Sequence, residues 1–307
     1  MEFFKKKQNV VLIALLYTFL WGCAFPLVKI CMEQFAITDN VSKCLVAGIR
    51  FFISGAALSL ICIIKDKNKS APIAKNQFPY ILSYALLATS IQYAVTYVGL
   101  SNVEASKGAI FDQLCVFLII LSAGIFLKND RLTIFKILGC IVGFIGILMV
   151  SQEKMSFTFA LNGEGMMILA ALCQTLAYFI AAKSANKIEA IKLVGFGQLI
   201  GGFILMFVAL VLGGKFSKIT VLGITILVIL ASISAIAYVL SLIPLKYFPA
   251  SEISVFNLLI TLFGMILSSL FLGENIFRIN YLISFILISL GIILVNFKGK
   301  RKNGNNI

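Results

Sequence analysis

The chain contains no histidine among its 307 residues, and only 12% of them are charged. Without histidine it lacks the commonest metal ligand and the usual base at neutral pH. Soluble domains carry about 25% charged residues, so this sequence has too little charge to cover a water-facing surface. It also lacks a G-x-x-x-x-G-K-[ST] loop. These absences exclude H-E-x-x-H metalloprotease chemistry and P-loop nucleotide hydrolysis.

Cysteine is present, but not in a spacing that binds metals. The seven cysteines lie mostly within apolar runs, and none belongs to a C-x-x-C pair. Thiols in such surroundings behave as small buried hydrophobic groups. The sequence therefore predicts no disulfide framework, no metal site and no cofactor.

Long apolar runs dominate what is present. Hydrophobic residues make up 61% of the chain, and the mean hydropathy is +1.05. A run of about 20 apolar residues can cross a bilayer, and it must be helical where it lacks the alternation of barrel strands. We therefore predict an all-α integral membrane protein of ten transmembrane helices. The predicted spans are 10–31, 44–64, 78–100, 105–127, 132–151, 163–182, 191–212, 219–242, 250–272 and 280–297.

The beginning of the chain has the basic start and apolar middle of a secretory signal peptide. However, bulky Trp21 stands where a cleavage site needs a small residue. We therefore expect the first span to be retained in the protein.

The basic residues follow the pattern of membrane orientation. The net charge is +14, but Lys and Arg are spread over short connections between apolar runs, which argues against a nucleic-acid partner. With the N-terminus inside, basic residues in cytoplasmic connections outnumber those outside about threefold. This predicts a multi-pass protein of the cytoplasmic membrane with both termini cytoplasmic.

Similar segments recur in the two halves of the chain. GILMV at 146–150 closes the fifth span and GIILV at 291–295 closes the tenth, while Ala105-Ser106 matches Ala250-Ser251 at the same offset. We therefore predict two five-helix repeats, 1–156 and 157–307, around a central cavity. Because five is odd, the second copy must be inverted, and inverted repeats are typical of alternating-access transporters with midplane substrate sites.

Four segments resemble the drug/metabolite transporter superfamily, specifically its EamA-type ten-helix members. They are LWGCAFPLVKI in the first span, AGIRFFISGAAL in the second, LKYFPASEIS before the ninth and FLGEN after it. The resemblance covers about residues 8–298. The chain departs from the family in lacking proline midway through spans 4 and 9, and Lys128-Asn129 replaces the expected Gly-Glu after span 4.

The resemblance implies a cavity lined by helices 1, 3, 4, 6, 8 and 9. It places helices 5 and 10 to one side, where they would form a homodimer contact. It also implies movement of small metabolites, often amino acids and usually outward.

Charged residues inside the spans require an explanation, because each costs about 2.5–3.5 kcal/mol on insertion scales. We interpret Asp112 as a cavity carboxylate that binds a cationic group or carries a proton; the alternatives are an ion pair with Lys107 or Arg50, or a place near the outer interface. Lys29 and Arg50 are interpreted as side chains that snorkel to the interface. If either points inward, it would hold a substrate carboxylate.

Polar and aromatic side chains are concentrated in the predicted cavity helices. Interhelical hydrogen bonding accounts for many of them. The predicted substrate-binding residues are Trp21, Gln92, Tyr93, Tyr97, Asp112, Gln174, Tyr178, Tyr238 and Asn257. Trp21 lies too deep for an interfacial aromatic belt, and Gly22 and Pro26 are predicted to serve in packing or as a hinge.

Together these features predict a secondary transporter, not an enzyme, whose partners are a small-molecule solute and the lipid bilayer. An acid beside aromatic rings suits an ammonium group, so the predicted cargo is an amino acid or amine-like metabolite, moved outward by alternating access. Uptake of a small cationic or organic solute and multidrug efflux are the alternatives. An intramembrane enzyme and a channel are more remote ones.

Overall fold

A computed structural model describes residues 6–65, 73–103, 105–127, 130–150, 160–272 and 279–297. Within these ranges the chain forms ten helices and no strand. Six helices are long and apolar enough to cross a membrane, and the other four contain shorter apolar segments. The helices are α1 (Lys7–Gln34), α2 (Asn40–Lys65), α3 (Phe78–Leu100), α4 (Ala105–Phe126), α5 (Ile134–Val150), α6 (Leu161–Ser184), α7 (Ala190–Val211), α8 (Val221–Lys246), α9 (250–272) and α10 (Ile279–Val295).

The prediction of an all-helical membrane protein is confirmed for the described residues. Helix ends differ from the predicted spans by a few residues, because α1 and α2 continue into polar turns that an apolar run does not include. The predicted repeat boundary at residue 156 lies outside the described residues.

Four helices depart from regular α geometry, and one of them is α6, which begins with a wide π-type turn at Leu161–Gly165. Helix α3 contains a wide π-type turn at Leu86–Ser90. Helix α8 ends in a tight 3-10 turn at Ile243–Lys246, and α9 contains another at Val255–Asn257. Helix α1, in contrast, runs on through Pro26. Irregular turns matter because they free backbone groups and reorient side chains within a bundle.

Helices α2 and α7 cross in close, antiparallel contact. A Cβ atom on Gly48 would lie 2.7 Å from the Cα of Met206, and one on Gly55 would overlap the backbone nitrogen of Leu199. Moving forward along α2 therefore means moving backward along α7. Only glycine allows backbones to approach this closely.

Helices α5 and α10 form a second close antiparallel pair. A Cβ atom on Gly139 would lie 2.8 Å from the carbonyl oxygen of Gly291, and one on Gly146 would lie 3.1 Å from the backbone nitrogen of Ile288. The hydroxyl of Ser284 also donates a hydrogen bond to the carbonyl of Gly146. This pair lies beside the other helices rather than among them, with its main contacts to α4 and α9.

The remaining helices form the centre of the bundle. Helix α1 packs against α8 and α9, while α6 packs against α3 and α4. Large apolar side chains on the outer faces are exposed, including Ile125 and Leu210. An exposed apolar exterior of this extent is suited to lipid rather than water.

Candidate substrate cavity

A cavity of about 270 Å³ lies in the middle of the bundle. Its lining residues come from α1, α3, α4, α6, α8 and α9, together with Arg50 from α2. Helices α5, α7 and α10 contribute none of the described lining residues. Sites for drug-sized ligands usually measure about 300–1,000 Å³, so a chamber of this volume suits a small metabolite.

All nine residues predicted to bind substrate line this one cavity. They are Trp21, Gln92, Tyr93, Tyr97, Asp112, Gln174, Tyr178, Tyr238 and Asn257. Their convergence follows from helical spacing, since residues three or four apart share one face. That they bind a solute stays a prediction.

An aromatic cluster forms one wall of the cavity. The rings of Trp21 and Tyr238 meet edge to face with centroids 4.9 Å apart. The Phe51 ring lies 4.5 Å from that of Tyr93. The hydroxyls of Tyr93 and Tyr238 lie 3.3 Å apart, within hydrogen-bonding distance. This wall therefore presents both ring faces and hydroxyl groups to the chamber.

The guanidinium of Arg50 lies against this aromatic wall. Its carbon is 5.6 Å from the Trp21 ring centroid and 5.2 Å from that of Phe51, so both rings are within cation–π range. Its Nε donates hydrogen bonds to the Ser234 hydroxyl at 2.6 Å and to the Leu230 carbonyl at 3.2 Å. Its Nη2 is buried and has no hydrogen-bond partner among the described residues.

The prediction that Arg50 snorkels to the interface is wrong. Only 4% of this residue is exposed, and its side chain lines the cavity. It follows ten residues after the start of α2 at Asn40, which corresponds to about 15 Å along a helix and exceeds the reach of an arginine side chain. Lys29 is exposed and does not line the cavity, in agreement with an interfacial position.

Asp112 reaches the cavity from α4. Its side chain is exposed and lines the chamber, although it lies within a predominantly apolar helix. No basic group of a described residue lies within ion-pair distance of it, so an ion pair with Arg50 is not formed. The side chain of Lys107, the other predicted partner, lies outside the described residues. A carboxylate in this position is available to a bound solute.

Two further polar groups define the deeper part of the chamber. The Tyr17 hydroxyl donates a hydrogen bond to Asn257 Oδ1 at 3.0 Å, which fixes the amide orientation across α1 and α9. The buried Tyr178 hydroxyl has no hydrogen-bond partner among the described residues. Buried polar groups are nearly always paired, so unpaired ones facing a cavity mark places for water or a ligand.

Backbone irregularities coincide with the cavity. Ala88 lines it from the π-type turn of α3, and Asn257 lines it from the 3-10 turn of α9. Single π-type turns occur frequently at functional sites, and interrupted helices form the substrate sites of many transporters.

Gly22 and Pro26 of α1, the residues predicted as hinge or packing positions, differ in their contacts. A Cβ atom on Gly22 would lie 2.9 Å from the backbone nitrogen of Gly264, so this glycine lets α1 approach α9. Pro26 is buried within α1. A hinge motion about Pro26 stays a prediction.

Sequence reasoning overlooked several lining residues. Tyr84 and Ser241 contribute to the wall, and Arg50 was assigned elsewhere. Tyr84 and Ala88 share a face with Gln92, because the three are spaced at intervals of four along α3. That spacing was a usable signal; the depth of Arg50 within α2 was another.

The described residues contain no group of three or more His, Cys, Asp or Glu side chains that could hold a metal ion. The chemistry available in the chamber is therefore that of hydrogen bonding, aromatic contact and two opposite charges. This is suited to binding a polar solute.

Known proteins are similar over nearly the whole chain. An uncharacterized transporter of Bacillus subtilis, YvbV, is 25% identical over 304 residues, covering 96% of this chain and 93% of its own length. An uncharacterized transporter of Haemophilus influenzae is 27% identical over 314 residues, covering 96% and 99%. A crystal structure with 15% identity superimposes with a TM-score of 0.76 over 94% of this chain and 98% of its own, which shows the shared fold.

The family model described as the EamA-like transporter family matches twice, at residues 8–152 and 161–297. The two matches include all ten helices and every predicted cavity residue. Its relatives are named as transporters and not as enzymes. The protein is a multi-pass membrane transporter and belongs to the EamA-like transporter family.

Proposed function

We propose that this protein is a secondary transporter that exports a small metabolite carrying an amino group, an amino acid or amine, across the cytoplasmic membrane by alternating access. The observation that carries the proposal is a chamber lined by the Asp112 carboxylate together with aromatic side chains. A carboxylate and ring faces together attract an ammonium group. Gradients supply the energy, because the chain lacks a P-loop.

The helix packing supports two inverted repeats. If each helix corresponds to the one five places later, α1 against α9 corresponds to α6 against α4. In the same way, α1 against α8 corresponds to α6 against α3, and both sets of contacts are present. Under this correspondence α2 matches α7 and α5 matches α10, so each of these two pairs consists of equivalent helices. The two family matches, 8–152 and 161–297, also divide the chain between α5 and α6.

Individual contacts follow the same correspondence. Gly55 of α2 approaches the backbone of Leu199, and Gly202 of α7 approaches that of Phe52. Adding the same offset of 147 residues takes Gly55 to Gly202 and Phe52 to Leu199, so each contact is the image of the other. Such a pairing is expected of a twofold axis in the membrane plane, the arrangement that alternating access uses.

The two ends of the chamber differ, as alternating access requires. Towards one end the lining continues to Leu100, the last residue of α3, which is exposed. Towards the other it stops at Leu242, which is buried and also lines a second cavity of about 430 Å³ near the end of α8. Under the predicted orientation the closed end is cytoplasmic, so this arrangement corresponds to an outward-facing state.

Export from the cytoplasm is the direction that the family resemblance implies. A homodimer through α5 and α10 is part of the same proposal; both helices expose apolar side chains, such as Ile141 and Phe285. These two points and the membrane identity stay predictions.

Solute counterflow into proteoliposomes tests the proposal. Liposomes are preloaded with one amino acid or amine at high concentration, and uptake of the same radiolabelled solute is followed. We expect saturable counterflow for at least one solute and its loss in Asp112→Asn. Lys29→Gln is the matched control, because it removes an exposed charge that does not line the cavity. Failure of every amino acid and amine would refute the substrate class; equal activity of the two variants would refute the role of Asp112.

A further inference from the structure

Arg50 lines the chamber, and part of its guanidinium has no hydrogen-bond partner among the described residues. Both hydrogen bonds that described residues make with it use Nε, while Nη2 is buried without a partner. Only 4% of the residue is exposed, and the side chain lines the cavity. The guanidinium is therefore fixed through Nε, and the hydrogen-bonding capacity of Nη2 is unused.

A buried guanidinium in this state needs an anion. Desolvating a charge without a partner is costly, and two ring contacts and two neutral acceptors offset only part of that cost. No carboxylate of a described residue lies within ion-pair distance of Arg50. Because the planar guanidinium forms paired hydrogen bonds with carboxylates, a carboxylate is the ligand that suits its unused donors.

The two charges of the cavity are separate but border the same aromatic cluster. Arg50, Asp112, Tyr93 and Tyr238 all line this cavity. The two tyrosine hydroxyls lie 3.3 Å apart. A solute that carries both an acid and an ammonium group therefore offers a partner to each charge.

We propose that Arg50 is the binding residue for a carboxylate of the transported solute, and that it selects amino acids over plain amines. This inference rests on the proposed transport of amino-group metabolites and narrows that class. Asp112 alone would accept any amine, whereas an amine without an acid leaves Arg50 unpaired. The unpaired charge of Arg50 therefore makes an amine bind more weakly than the corresponding amino acid.

Trp21 provides a direct measurement. It is the only tryptophan of the chain, and its ring lies 5.6 Å from the guanidinium carbon. Purified full-length protein in detergent is titrated with matched sets of probes: leucine, isoamylamine and 4-methylpentanoate, and then phenylalanine, phenethylamine and 3-phenylpropanoate. Tryptophan fluorescence gives the affinities, and equilibrium dialysis of the radiolabelled probes provides a second readout that does not depend on the ring.

We expect an amino acid to bind about tenfold or more tightly than its decarboxylated amine, because the amine leaves a buried charge without its hydrogen bonds. In Arg50→Lys and Arg50→Gln the affinity for the amino acid should fall while that for the amine stays nearly unchanged. Lys29→Gln is the matched control for loss of a positive charge. Size-exclusion chromatography and thermal unfolding check that the variants are folded.

Three results would overturn the inference. The amine could bind wild-type protein as tightly as the amino acid, a comparison that needs no variant. The Arg50 variants could weaken both probes equally, as expected of a structural residue. The third is that the folded protein binds none of the probes that carry a carboxylate. The counterflow assay tests transport independently of binding. If amino acids bind through Arg50 but show no counterflow, transport of these solutes is refuted while the Arg50 assignment stands.

Discussion

Asp130 and Ser251 are joined by two hydrogen bonds although 121 residues separate them in the chain. The backbone N–H of Ser251 donates to Asp130 Oδ2 at 2.8 Å, and its hydroxyl donates to Oδ1. The same carboxylate forms an ion pair with Lys136, and both charged residues are buried. This cluster fastens the α4–α5 connection to the first turn of α9, and so joins the two halves of the bundle.

The buried position of this ion pair predicts a large effect of breaking it. Asp130→Asn leaves Lys136 buried without a counter-charge and should lower the free energy of unfolding by about 3–5 kcal/mol. Thermal unfolding of the purified variant in detergent provides the measurement.

The Lys65–Glu189 pair is the matched control. Its side chains are 68% and 55% exposed and 3.7 Å apart. Exposed ion pairs contribute about 0–1 kcal/mol, so Lys65→Gln should leave the unfolding midpoint nearly unchanged. Equal effects of the two substitutions would mean that Asp130 and Lys136 do not hold the halves together.

Close helix contact predicts that Gly55 cannot be enlarged. A Cβ atom there would overlap the backbone of Leu199, and backbone cannot rotate away as a side chain can. Gly55→Ala should therefore separate α2 from α7 and lower stability by about 1–3 kcal/mol or more. Gly202→Ala, its image in the second half, should behave alike.

Gly165 at the start of α6 offers a control for this substitution. The nearest atom to a Cβ there would be 3.5 Å away, an ordinary contact. Because alanine also reduces the entropy of the unfolded chain, Gly165→Ala should be neutral or stabilising by about 0.4–1 kcal/mol. Comparable losses in Gly55→Ala and Gly165→Ala would contradict the packing argument.

The membrane-crossing helices could be predicted from the sequence because bilayer thickness fixes their length and apolar character. The polar residues of the cavity could be predicted for the same reason, since lipid leaves them no other place. The position of Arg50 could not be predicted by the rule for long basic side chains, which ignored its depth. Asp130 was overlooked because a charged residue in a connection looks solvated until its tertiary contacts are known.

An N-terminal cap on α2 makes stability depend on pH. Asp39 Oδ1 accepts a hydrogen bond from the backbone N–H of Ser42 at 2.8 Å. Hydrogen bonds from Ser42 hold the pKa of Asp39 below its usual value. The stabilisation is therefore present above the unfolded pKa of about 3.9 and is lost as the pH falls through the lower folded pKa.

Asp39→Ala should accordingly lower stability by about 1 kcal/mol at pH 7, the usual contribution of a cap. The difference between wild type and variant should shrink as the pH falls below about 4. Unfolding midpoints of both proteins across this range test the prediction. A difference that stays constant with pH would show that the carboxylate charge plays no part.

The hydroxyl contact between Tyr93 and Tyr238 should matter for solute affinity. Tyr93→Phe keeps the ring against Phe51 but removes a hydroxyl from the chamber wall. Loss of one hydrogen bond predicts an affinity about two- to tenfold weaker in the counterflow assay. Tyr80→Phe is the control on the same helix, because Tyr80 bonds Lys187 outside the cavity. If Tyr93→Phe and Tyr80→Phe have the same solute affinity, the solute does not contact the Tyr93 hydroxyl.

Leu242 separates the central chamber from the second cavity, since it lines both. We expect its apolar side chain to block passage between them. Leu242→Ala removes most of that side chain and should raise the leak of preloaded solute from proteoliposomes when no solute is present outside. Ile236→Ala, on the exposed face of the same helix, is the matched control because it removes an equal volume away from both cavities. If both variants leak equally, the barrier lies at another residue; if only Leu242→Ala leaks, this leucine is the closed gate of the outward-facing state.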